Sequence, residues 1–176
     1  MTTHLKNPGR HYGLRCTVGA IIAGGLFIGA AAADQHASQE ELVFPLDEAP
    51  AEALAAAQAA APDVTFSGVD VEVEDGVITL EFAGTHANGQ QVEVDVAQGW
   101  RVLEVEDVIA LDEVPEAVLE TLRVQMGEFA PTSVERSQRG AVTVYEFEGV
   151  GDDGRAVDIE VQADGESIVV LDDQET

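Results

Sequence analysis

The sequence predicts an α+β fold: two tandem repeats, each one helix packed on an antiparallel meander of up to four strands. Three observations predict it. A unit of 65 residues is written twice, so that Leu46-Asp47-Glu48-Ala49-Pro50 returns as Leu111-Asp112-Glu113-Val114-Pro115. The offset holds through Leu54/Leu119, Val69/Val134, Glu81-Phe82/Glu146-Phe147, Gly84/Gly149 and Val96/Val161, after which one residue is inserted. Within each unit a helical pattern precedes a run of alternating strands, and Asn-Gly or Asp-Gly turns separate those strands.

The chain opens on a leader. Met1 to Arg15 carries Lys6, Arg10 and Arg15 with no acidic residue, Thr17 to Ala33 is small and apolar, and Ala31-Ala32-Ala33 precedes Asp34. A charged segment, a short apolar run and small residues at a cleavage position make residues 1–33 a signal peptide, cut after Ala33. The apolar run is short for a bilayer span, so no membrane span is expected after cleavage; a retained anchor is the alternative. Cys16 is the sole cysteine and leaves with the leader, so no disulfide holds the mature chain. Residues 34–42 read as a flexible spacer. The repeats follow at 43–107 and 108–173, with a tail at 174–176.

Each repeat begins with its helix. Ala49 to Ala61 is alanine-rich, with Pro50 in the first turn, Asp47, Glu48 and Glu52 near the amino end, and Pro62 as the stop. In the second copy Val114, Val118, Leu119, Leu122 and Met126 recur at helical spacing and Gly127 ends the run. The first helix offers mostly alanine for burial, so the second repeat should be the more stable.

The strands follow. Val69 to Val73, Val77 to Phe82, Val92 to Val96 and Trp100 to Val105 form the first meander, turning at Asp75-Gly76, Asn88-Gly89 and Gly99. Ser133 to Ser137, Val142 to Phe147, Val157 to Val161 and Ile168 to Leu171 form the second, turning at Asp153-Gly154 and Asp164-Gly165. Alternation places Ile78, Leu80, Phe82, Val92, Val94 and Val96 under the first helix, and Tyr145, Phe147, Val157, Ile159 and Val161 under the second. Thr79, Glu81, Glu93 and Asp95, with Glu146, Asp158 and Glu160, fall on the opposite, wet face.

The Val114-Pro115-Glu116-Ala117-Val118 helix start, the Tyr145-Glu146-Phe147 strand and the Asp153-Gly154 and Asp164-Gly165 hairpins resemble tandem PepSY-like domains. That family includes the repeats related to β-lactamase-inhibitory proteins. The resemblance covers roughly Val43 to Asp173. It implies an exported, non-catalytic protein that binds or inhibits other proteins, peptidases among them. In the first copy Leu80-Glu81-Phe82 replaces the tyrosine-containing strand.

Composition narrows the partners. Without the leader, five arginines and no lysine stand against 34 carboxylates, a balance of −29. Such a surface repels nucleic acid and attracts cations or basic proteins; solubility or adaptation to high salt would produce the same composition. No phosphate loop, nucleophile elbow or zinc-protease motif is present. The mature chain has only His36 and His86, both in expected loops, too few for a catalytic triad or zinc site. No catalytic residue, cofactor or metal ligand set is therefore assigned, and the protein is not expected to be an enzyme.

Two functions remain. The first is a periplasmic or secreted binding module whose acidic concave face, with Glu93, Asp95, Asp158 and Glu160, meets a basic protein or peptide. It would act as a peptidase inhibitor or an envelope sensor, with Trp100 as an aromatic anchor or as packing between the repeats. The second is low-affinity divalent-cation binding, calcium in particular, motivated by the overall charge and by Asp152-Asp153.

Overall fold

The computed structural model describes residues 44–74, 77–151, 154–166 and 168–172. The leader, the spacer with His36, the Asp75-Gly76 turn and Asp152-Asp153 lie outside them.

A short 3-10 turn at Leu46–Glu48 leads into α1 (Ala51–Ala60), followed by β1 (Val64–Glu74), β2 (Val77–His86), β3 (Gln91–Ala97) and β4 (Arg101–Val108). A second 3-10 turn at Leu111–Glu113 leads into α2 (Glu116–Met126), β5 (Pro131–Arg139), β6 (Val142–Val150), β7 (Ala156–Gln162) and β8 (Ile168–Asp172). Pro50 and Pro115 immediately precede the two α-helices. Gly127 terminates α2 at φ +64°, a conformation that a residue with a Cβ resists.

The expected architecture of two helix-plus-meander repeats is corrected here. All eight strands belong to one antiparallel sheet in the order β1 to β8. The joint is β4 with β5, where Val105, Glu106, Asp107 and Val108 pair with Gln138, Ser137, Arg136 and Glu135. A four-stranded meander ending at β4 would expose a row of backbone donors and acceptors along that edge. Pairing with β5 satisfies them. The helical connection between the two strands hides this long-range partner from any local reading of the sequence.

Paired residues of an antiparallel ladder point to the same face, so the register sorts every side chain. One face carries both apolar clusters. Under α1 lie Phe66, Val69, Phe82, Val92, Val94 and Val96 with Ala53, Ala57 and Ala61. Phe66 and Phe82 meet edge to face, their ring centres 6.0 Å apart. Near α2 lie Ile109, Val114, Val118, Leu122, Val134, Tyr145, Phe147, Val157, Ile159 and Val161. These clusters contain the expected inward residues except Ile78, which is exposed near the β1–β2 turn, and Leu80, which is only partly buried against the first of them.

His86 differs from its expected loop position. It ends β2, and its Nε2 lies 2.8 Å from Asp107 on β4. Arg136 on β5 donates to the other Asp107 oxygen at 2.6 Å. This charged bridge lies on the apolar face across the β4–β5 joint.

Candidate binding face

The opposite face of the sheet is rich in carboxylates. Register sets Asp70 beside Glu81, Glu81 beside Asp95 and Asp95 beside Glu104, one on each of β1 to β4. Glu93 stands beside Glu106, which faces Ser137. Beyond the joint, Glu135 faces Glu146, Glu146 faces Glu160, and Glu148 faces Asp158. Like charges directly opposite each other destabilise a sheet, so this arrangement works against folding.

The expected wet face is in fact partly dry. Asp95 is 1% exposed, and Glu104, Glu106, Glu135 and Glu146 are also buried, whereas Glu81, Glu93, Asp158 and Glu160 are half-buried. Burial is the main reason that Glu81, Asp95, Glu135, Glu146 and Asp158 hold protons more tightly than usual. It pushes Glu81 up to about 8, with Glu93 and Glu72 repelling its charge, and Glu135 up to about 7, with Glu148 and Glu93 adding. Asp158 rises to about 6 through burial and the charges of Glu148 and Glu160. Asp95 is raised well above the usual carboxylate range by burial, then by Glu93, Glu81 and Glu104.

One cation answers this charge in the second half. Arg139, the last residue of β5, donates to Glu104, to Glu146 at 2.7 Å and to Glu160 at 2.9 Å. Burial disfavours the guanidinium charge, but its three carboxylate partners outweigh that and raise its pKa further. Ser137 also donates to Glu104. Glu146 is nevertheless pushed up to about 8, because burial and the surrounding acids exceed the pull of Arg139.

The structure therefore brings four of the five expected site residues, Glu93, Asp95, Asp158 and Glu160, onto one face. Asp95 is too buried to touch a partner protein directly. Trp100 is not among them. It lies in the turn between β3 and β4 at φ +62°, 40% exposed and outside both apolar clusters. At the same end of the sheet Val73, Val77 and Ile78 are also exposed, beside the turn from β1 to β2. Sequence reasoning missed Glu104 and Glu106, which β3–β4 pairing sets beside Asp95 and Glu93, and Glu135 and Arg139, which join this face because β4 pairs with β5. The available signal was Arg139 itself, one of only five arginines outside the leader.

No protein-family model matches the chain, and no curated protein matches it either. Solved structures share its fold. A DUF2874 family protein from Bacteroides uniformis is 20% identical, with a TM-score of 0.56 over 70% of this chain and 89% of that one. A protein of Bacteroides eggerthii provisionally described as periplasmic is 17% identical, with a TM-score of 0.56 over 70% and 88% of the two chains. A BLIP-like protein from Bacteroides fragilis is 16% identical, with a TM-score of 0.55 over 72% and 88%. At these identities the likeness concerns the fold, and the narrower PepSY assignment gains no support from it. Among the described residues no helix is long and apolar enough to cross a membrane. What the neighbours supply is architecture: the chain has a BLIP-like fold.

Proposed function

We propose that this protein is a periplasmic or secreted, non-catalytic binding module whose carboxylate face receives arginine and lysine side chains of a partner protein. The observation that carries the reading is the unbroken carboxylate ladder on one face, answered by Arg139 in one half of the sheet. A partner's cations would relieve a repulsion that folding has already built in, so much of the unfavourable work is done before the partner arrives. Exposed Trp100, Val73, Val77 and Ile78 at one end of the sheet supply an apolar contact beside the charge. The signal-peptide pattern and the fold shared with provisionally periplasmic and BLIP-like proteins support an envelope location and a protein partner. The finer reading is inhibition of a peptidase or regulation of an envelope sensor.

Affinity capture from an envelope extract tests the proposal. The immobilised protein should retain a basic partner whose binding weakens as salt rises, because exposed charges are screened within about 8 Å at physiological ionic strength. Neutralising Glu93, Asp158 and Glu160 together should reduce retention at least about tenfold, since interface charge pairs contribute on that scale. A partner held equally at high salt and by the neutralised face would refute it.

A further inference from the structure

We propose that Glu81, Glu93 and Asp95, gathered where β2 pairs with β3, form a binding site for a hard divalent cation of the calcium class. One carboxylate oxygen from each lies within 4.8 Å of the other two. Opposite ligands of a single calcium ion, with oxygen contacts of about 2.4 Å, stand about 5 Å apart, so one ion can be shared by all three. A donor set made only of carboxylates favours calcium-like ions over zinc or copper, which prefer nitrogen and sulfur.

The buried carboxylate of Asp95 points to the ligand independently of the clustering. Its side chain is 1% exposed, and neither of its oxygens finds a hydrogen-bond partner among the described residues. An unpartnered buried carboxylate is expensive, and a cation is the group that satisfies it most fully. Glu81 and Glu93 are half-buried, which leaves a route from solvent to the cluster.

The chain also contains its own control. At the offset of 65 residues the three positions correspond to Glu146, Asp158 and Glu160, and there Arg139 binds Glu146 and Glu160. The residue at the matching offset from Arg139 is Glu74, so the first half carries an acid where the second carries its internal cation. Glu146 and Glu160 thus have an internal cation, and the first-half cluster is the one we assign to an ion taken from solution. This site is distinct from Asp152-Asp153, where the sequence first suggested calcium.

Calorimetric titration and thermal melts of the purified protein with calcium chloride test the site, in about 0.3 M sodium chloride to suppress the diffuse ion atmosphere. The expected result is a saturable one-site heat and a melting temperature that rises by several degrees with calcium. The Asp95→Asn/Glu81→Gln variant relieves repulsion and should fold; it should lose at least about tenfold in affinity, since ligand charge sets calcium affinity. The Glu135→Gln/Glu148→Gln variant removes the same charge elsewhere on the face and should bind calcium as the parent does. Absence of a saturable heat, or an equal loss in both variants, would overturn the proposal. No partner protein enters the assay, so its failure leaves the protein-binding reading untouched.

Discussion

At the scale of single residues, two side chains in the acidic face set opposite expectations. Asp95 is buried without a hydrogen-bond donor and burial disfavours its charged form, so Asp95→Asn should stabilise the calcium-free protein near pH 8 by about 1–3 kcal/mol, the usual scale for a mispaired buried polar group. Denaturant unfolding in chelator would show this as a higher midpoint at unchanged slope; a lower midpoint would mean that the charge is structurally useful. Arg139 is the reverse case. Arg139→Met keeps much of the aliphatic stem but strands Glu104, Glu146 and Glu160 together. With the Arg139 side chain 25% exposed, solvent softens the loss, and a destabilisation of about 2–3 kcal/mol is expected at neutral pH, somewhat below that for fully buried pairs. The loss should shrink on acidification, as protons replace the missing cation.

At the scale of elements, the strands and helices were legible in the sequence because their signals are local. Alternation and turn residues located seven strands closely, and the prolines with Gly127 set the helix ends. Even the weakly patterned strand near Ser133 to Ser137 is present, extended to Pro131–Arg139. What could not be read locally was the partner of each edge, and that decides the fold. The same limit hid part of the candidate site, since Glu104 and Glu135 look like ordinary solvated acids until β4 and β5 are joined. Two glycines show how tightly the elements are fitted. Gly84 and Gly149, 65 residues apart, each lie opposite a register shift in the neighbouring strand. A Cβ on Gly84 would stand 2.5 Å from Val64, and one on Gly149 would stand 2.6 Å from Phe129. Neither glycine has positive φ, so the requirement is space. Gly84→Ala and Gly149→Ala should each destabilise by about 1–3 kcal/mol, as overpacking does, read as a fall in melting temperature. A neutral result would show that Val64 or Phe129 moves aside at little cost.

At the scale of the whole molecule, the apolar face holds the chain together and the carboxylate face works against it, with a balance that depends on protons. Glu81 and Glu146 are raised to about 8, Glu135 to about 7 and Asp158 to about 6, burial being the first cause in each. In the unfolded chain these groups titrate near 4. The native state therefore binds more protons than the unfolded state across the interval between, and the sign follows: stability falls as pH rises. The contribution is fully present below about pH 4, declines from there, and is exhausted once pH passes about 8. Because several of these groups are half-exposed, solvent screening reduces the total to on the order of 3 kcal/mol, or roughly 10 °C in melting temperature. Melts in chelator at pH 5 and pH 9 should show the higher transition at pH 5, opposite to the acid sensitivity of proteins whose carboxylates are well paired. Raising salt should narrow the gap by weakening the repulsion among the half-exposed acids. A protein equally stable at both pH values would mean that cations already neutralise this face, and that the face is less repulsive than its geometry requires.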